Sequence, residues 1–323
     1  MVGLLSVASA GWCATISDNF NDGNDTYPTM GWQHYDPIGQ YLTGIFGPTT
    51  NAQWNFPGGN IYQIVAEPPP AGWEVLDRAR AGSYSTNSFT NFYASVDVVD
   101  WSHTNRQVFG ILARVGTPGA GSTSGYLFDW DSSDPTSTTA GDMDIVRIDS
   151  ESPTDLDSHT FLGSDTIHLI TGHSYRFVFL GVSNVFRGLV YDLTNTVIPL
   201  VDYWVTDPTY DPTASDHVSG PVGLMVACND GTVTSGAAAT FDNFVASDGE
   251  LLTGNWQLLR IIQPSAGTVE VLWPWGGTLN LYGSPTLESP SWGSALAPTG
   301  TNGGENVYTV SPASGTRFFK LVP

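Results

Sequence analysis

The sequence predicts an all-β chain: an antiparallel two-sheet jelly-roll sandwich followed by a second, smaller β domain. Three observations carry this expectation. Short apolar runs and alternating stretches recur throughout its 323 residues, and helical periodicity is nearly absent. Thirty-six Gly and 21 Pro punctuate those runs without a fixed period, which suits many strands joined by turns rather than a collagen-like repeat. The tripeptide Asp18-Asn19-Phe20 returns as Asp242-Asn243-Phe244, as expected if the first and last strands of one sandwich lie side by side.

Eight segments read as strands of the main domain: Asn91 to Val99, Val108 to Val115, Gly125 to Trp130, Asp144 to Ile148, Ser174 to Gly181, Arg187 to Asp192, Val222 to Ala227 and Thr240 to Ala246. Ser183-Asn184 between two of them predicts a tight hairpin. The proline run near residues 66–72 reads as a linker or an edge-blocking loop, because Pro cannot donate to a ladder. Thr206 to Ser219, rich in Asp, Pro and Thr, reads as a loop. Beyond Asp248 the texture changes. Leu251 to Gln263 suits a connector, and Val269 to Trp273, Leu279 to Tyr282, Val307 to Val310 and Phe318 to Val322 are strands of a smaller unit. The expected organisation is therefore a leader-like segment 1–14, a jelly roll over 15–248 and a small module over 249–323.

Charge narrows the partners. Ten basic residues, of which only Lys320 is a lysine, face 31 acidic ones for a net charge of −21. Nucleic acids, anionic lipids and acidic glycans need clustered cations and are disfavoured. Neutral glycans, extracellular surfaces and divalent cations remain open. Residues 1–14 carry no charge and end in small residues, like the end of a secretory signal; the other reading is a kept apolar strand donated to a neighbouring copy. No other stretch reaches the ~20 apolar residues of a membrane span, so a secreted or surface-attached protein is expected. If Cys13 leaves with a leader, Cys228 reads as a small buried hydrophobe.

The central region resembles the concanavalin A-like, laminin-G-like jelly-roll domains of secreted proteins from environmental bacteria. The resemblance runs over residues 15–247. It rests on Asp18-Asn-Phe-Asn-Asp-Gly23 with Trp32, Arg78-Ala-Arg-Ala-Gly-Ser83, Phe92 to Trp101, Gln107 to Arg114, Gly125-Tyr126 and Thr240 to Ala246. The tail is similar to short β modules that end secreted proteins of Verrucomicrobia-like bacteria, through Trp273-Pro274, Leu281 to Ser284, Leu287, Trp292 and Arg317 to Leu321. Such modules serve as attachment or spacer units.

Four constellations follow. Asp18, Asp22 and Asp242 are candidate ligands for a structural Ca²⁺ if the end strands pair, as the resemblance also implies; the other reading is Asx-turns. Trp101, Tyr126, Trp130, Trp32 and Tyr35 offer aromatic faces to a sugar, with Arg78, Arg80, Gln107 and Arg114 as donors; the other reading is core. Asp142 and Asp144 lie on one face of a strand, as a glycoside hydrolase requires, and resemble the Glu-x-Asp-x-x-Glu strand of jelly-roll glucanases. Arg147 stands where that pattern ends in Glu, so a turn and hairpin start is the simpler reading. His34-Tyr35 and His103 with Arg106 supply parts of a polysaccharide lyase site. The expected function is glycan or surface binding without catalysis. A divergent glycoside hydrolase or lyase, and an extracellular assembly subunit, are the alternatives.

Overall fold

The computed structural model describes residues 15–25, 31–36, 52–68, 79–103, 105–119, 121–132, 140–150, 159–194, 199–214, 216–228, 236–248, 260–265, 268–274, 280–284, 294–302, 305–310 and 318–322. The signal-like segment, Cys13, Arg78 and most of the proline run lie outside them.

Two antiparallel sheets form the sandwich. The first comprises β1 (Thr15–Asp18), β3 (Gln53–Asn55), β4 (Tyr62–Ala66), β6 (Phe92–Trp101), β11 (Tyr175–Val182), β12 (Val185–Asp192), β13 (Val201–Thr206) and β15 (Ala237–Asp248). Its order is β13-β12-β11-β6-β15-β4-β3, with β1 also pairing with β15. The second holds β2 (Gln33–Tyr35), β5 (Ala79–Phe89), β7 (Gln107–Ala113), β8 (Gly125–Asp131), β9 (Ala140–Ile148), β10 (His159–His168) and β14 (Gly220–Cys228). Its order is β10-β9-β8-β7-β14-β5-β2. One 3-10 turn, Pro57–Gly59, is the helical element among the described residues.

The repeated tripeptides meet as expected. Asp18 is the Cα partner of Phe244, and the Phe20 and Phe244 rings both pack on Trp32, at centroid distances of 5.8 and 4.9 Å. All eight expected strands are present, with β11 and β12 closing through Ser183-Asn184. The stretch 206–219 does separate β13 from β14.

Side-chain alternation builds the core. In β8, Tyr126, Phe128 and Trp130 face the first sheet, where Phe128 meets Phe179 at 5.6 Å and Tyr126 meets Phe186 at 4.1 Å. Both edges of the sandwich are tied across the sheets. On one, the Tyr203 hydroxyl donates to Met143 O at 2.8 Å. On the other, His34 stacks on Trp54 at 4.1 Å, and the Trp54 indole N–H donates to Gly82 O.

Further along the chain, β16 (Arg260–Ser265), β17 (Thr268–Pro274), β19 (Gly300–Asn302) and β20 (Glu305–Val310) form a four-stranded sheet, and β18 (Asn280–Ser284) pairs with β21 (Phe318–Val322). Thus β16 occupies the end of the expected connector.

Candidate functional site

The strand alternation that turns Tyr126, Phe128 and Trp130 inward turns Leu127, Asp129 and Asp131 to the outer face of the second sheet. The neighbouring β9 puts Asp142, Asp144 and Val146 on that face. Asp129 is the Cα partner of Asp144, and Asp131 that of Asp142. A shallow depression runs across the strands here. Its lining passes from Arg80 on β5, through Met225, Ala227, Val108 and Leu127, to Asp129, Asp131 and Asp144, and ends at His159 and Phe161 on β10. Five strand spacings of ~4.8 Å separate its ends, roughly 24 Å.

Its middle is apolar and its two ends are charged. Arg80, Asp129 and Asp144 are buried, at 4%, 4% and 6% exposure, whereas the Phe161 ring stands 60% exposed. Phe161 stands out at the β10 end, whereas Arg80 at the β5 end is buried. Asp142 lies just beyond the lining, where Thr166 Oγ1 donates to its Oδ1 at 2.9 Å. Asp142 and Asp144 are therefore inside β9, which starts at Ala140, and not at a turn or hairpin start.

Most of the expected sugar-facing residues are instead core. Trp101, Tyr126 and Trp130 are buried between the sheets, where Trp101 and Trp130 lie 6.3 Å apart. Their positions on the strands have the inward parity, so aromatic character here serves packing. Trp32 is likewise buried; Tyr35 packs on the outer face against Tyr84. Arg114, fully buried with φ 49°, donates from Nε to Thr90 O at 2.8 Å and from Nη1 to His217 O at 3.1 Å. Its guanidinium also packs over Phe92, Tyr126, Phe186 and Tyr210. Burial draws its pKa down from the ordinary value. Gln107 is buried too, its amide donating to Ser102 O. Of the expected donors, only Arg80 lines the depression; Arg78 lies outside the described residues.

The calcium candidates do not converge. Asp18 Oδ1 accepts from Phe20 N at 2.7 Å, and its Oδ2 accepts from the Trp32 indole at 2.9 Å. Both oxygens are thus engaged in a buried turn, and burial pushes this carboxyl up despite those two hydrogen bonds. Asp22 caps Asn24 N, and Asp242 accepts from Asn243 N. Among the described residues no three His, Cys, Asp or Glu side chains gather as a metal would require. These Asp residues behave as turn residues.

The lyase parts stay apart as well. His34 lies against Asp25 and the Tyr62 hydroxyl, His103 against Asp100, and Arg106 Nε donates to Ser132 O. Cys228 is buried at the end of β14.

Asp129, Asp131, His159 and Phe161 were not singled out by the sequence reading. A signal for the first two existed: in Phe128-Asp-Trp-Asp131 acids alternate with rings, which puts acids on the outer face if the rings are core.

Searched against protein-family models and against curated proteins, the chain matches none. It is similar to solved structures. One is the carbohydrate-binding module CBM66 from Bacillus subtilis, with 13% identity, 68% of this chain and 96% of that one covered, and a TM-score of 0.42. Another is winged bean acidic lectin complexed with methyl-α-D-galactose, with 9% identity, 72% and 98% coverage, and a TM-score of 0.43. A third is a non-specific endo-β-1,3(4)-glucanase from family GH16, with 10% identity, 72% and 89% coverage, and a TM-score of 0.43. The likeness is one of architecture and assigns neither ligand nor activity. Among the described residues no helix is long and apolar enough to cross a membrane.

Proposed function

We propose that this protein binds a glycan free of acidic groups in the depression on the outer face of the second sheet. One observation carries the reading: an exposed ring, Phe161, shares a single groove with an apolar floor and with Arg80, Asp129, Asp131 and Asp144. Sugars present C–H faces that pack on rings and hydroxyls that bridge carboxylates and guanidinium groups, so they match both halves of such a lining. The excess of carboxylate disfavours uronates and sulfated polymers. A chain this acidic and lysine-poor suits work outside the cell. Calcium has no converging ligand set among the described residues and plays no part in this reading.

The test is calorimetric titration of the full chain with uncharged oligosaccharides of several linkages. Saturable binding to at least one, weakened by Phe161→Ala, supports the reading; no binding across the panel overturns it.

One observation favours a second reading, glycoside hydrolysis. Directly opposed residues on antiparallel strands hold their Cβ atoms about 4.5–5.5 Å apart, so Asp129 and Asp144 bring two carboxyls near the separation used by retaining enzymes, about 5–5.5 Å. Reducing-end release that disappears in Asp144→Asn would select catalysis over binding alone.

A further inference from the structure

One edge of the sandwich is long and the other is short. β10 ends the order of the second sheet and β13 that of the first. The two lie against each other, and the Tyr203 hydroxyl of β13 reaches Gly163 O of β10 at 3.5 Å. β10 has ten residues and β13 six, whereas β2 and β3, at the opposite edge, have three each. An edge strand presents unpaired N–H and C=O groups, which natural sheets guard by shortness, charge, proline or a bulge. β10 contains no Pro, Lys or Arg, and its one acid is Asp165. On β13, Asp202 is neutralised by Arg187, whose Nε and Nη2 both donate to it at 2.8 Å. A chain with a net charge of −21 therefore carries little charge along this edge. The large apolar side chains most open to solvent among the described residues are also here. Phe161 on β10, Ile170 just after it and Leu200 just before β13 are 60%, 49% and 53% exposed.

We propose that this edge joins two copies of the chain, β10 running antiparallel to the β10 of the second copy about a two-fold axis. Another extended backbone satisfies a strand edge along its length, and two-fold symmetry lets one surface supply both halves. The axis sets one residue of β10 opposite itself. Asp165 there would face its own copy, and like charges directly opposite are destabilising. Ser164 there would run the pairing into the bulge between Phe161 and Gly163. Thr166 there avoids both, with Asp165 opposite Ile167 and Ser164 opposite His168. Leu200 comes to nearly the same level. Ile170 N donates to the Tyr175 hydroxyl, and Leu200 N donates to Val190 O, two residues before the Asp192 that pairs with Tyr175. β10 therefore ends where β13 begins, and the two run in opposite directions. Gly163 packs at Val205 and Tyr203, so Leu200, a few residues back along β13, lies beside Ile167 and close to the axis. Ten residues at ~3.3 Å each, across two sheets ~10 Å apart, offer roughly 500 Å² per copy. The total of about 1,000 Å² is the lower end for a specific interface, so the dimer is a micromolar one. The three-residue strands of the opposite edge offer too little ladder to continue the assembly, and it stops at two. Pairing of this kind is independent of what the groove binds.

The experiment is sedimentation equilibrium of the full chain at about 1–100 μM. The expected result is a reversible monomer–dimer equilibrium within that range. Leu200→Asp, at an exposed position, should weaken association about tenfold or more, because it sets like charges beside the axis. Should that variant fail to fold, Ile170→Asp makes the same test. In a Cys13→Ser background, Thr166→Cys should yield a disulfide-linked dimer on mild oxidation, since directly opposite residues hold their Cα atoms about 4.5–5.5 Å apart, within disulfide reach. His168→Cys, which stands opposite Ser164, should not. A monomer at every concentration overturns the proposal. A dimer that the aspartate variants leave unchanged overturns it in favour of another face. Cross-linking through His168→Cys as readily as through Thr166→Cys overturns the register, and assemblies that keep growing with concentration overturn the closed pair.

Discussion

Asp129 and Asp144 face each other across β8 and β9 on the outer sheet face, both buried, while Trp130 and Met143, one residue on in one strand and one back in the other, pair across the same strands in the core. Like charges directly opposite destabilise a sheet. Asp144→Asn should therefore raise the unfolding free energy, by about 0.5 kcal/mol, while impairing ligand binding. Urea denaturation beside calorimetric titration checks both; a loss of stability would mean that the pair serves the fold.

Phe161 is the exposed ring of the groove. Phe161→Ala should leave the melting temperature within about a degree, as surface substitutions do. Glycan affinity should drop about fivefold or more, for loss of a stacking platform. Unchanged affinity in titration would move the site elsewhere.

Glu67 follows β4 and is buried, with Oε1 lacking a hydrogen-bond partner. Burial, then the nearby Asp36 carboxylate, raises its pKa from 4.5 to about 7. Between those values the folded chain holds a proton that the unfolded chain has lost, so stability falls as pH rises through the window. Glu67→Gln should flatten that slope. Its melting temperature should exceed wild type at about pH 8 and match it at about pH 4, as thermal melts would show.

Asp207, after β13, anchors the 206–219 loop. It accepts from the Tyr126 hydroxyl at 2.8 Å, from Thr209 N and Oγ1 at 2.8 and 2.7 Å, and from Arg147 Nη1 at 3.2 Å. Burial pushes this carboxyl up, but those hydrogen bonds and Arg147 outweigh it and hold the pKa below the ordinary 3.8. The associated stability is present above the unfolded value and is lost as pH falls through the folded one. Asp207→Asn should cost about 3 kcal/mol near neutrality. That difference should narrow in acid, which denaturation at two pH values measures.

Gly188 on β12 faces Phe128 of the other sheet so closely that a Cβ would lie 2.3 Å from Phe128 Cε2. Gly188→Ala should destabilise by about 1–3 kcal/mol through overpacking. A Phe128→Leu background should relieve part of the loss, read from a double-mutant denaturation cycle.

The strands legible in the sequence are those with acid-ring alternation, such as β8, or with a nearly continuous apolar run, such as β11 and β14. Others were hidden for identifiable reasons. The β10 sequence is polar on an edge and carries a bulge between Phe161 and Gly163, which shifts its parity. The β5 strand is made of small polar residues with little apolar signal. The site was half legible: Arg80, Asp142 and Asp144 drew attention by residue type, whereas Trp101, Tyr126 and Trp130 drew it for a role that their parity denies them.

Pattern in the chain alone settled that this is a β protein, because period-two alternation and turn residues act over a few neighbouring positions; that its end strands meet was decided by the tertiary structure. Which of two alternating sets faces solvent, and that Arg80, Asp129 and Phe161 share one groove, depended on the sheet order β10-β9-β8-β7-β14-β5. That order joins residues up to 147 positions apart in the chain, Arg80 to Ala227, through ladder hydrogen bonds and core packing, which local sequence does not encode.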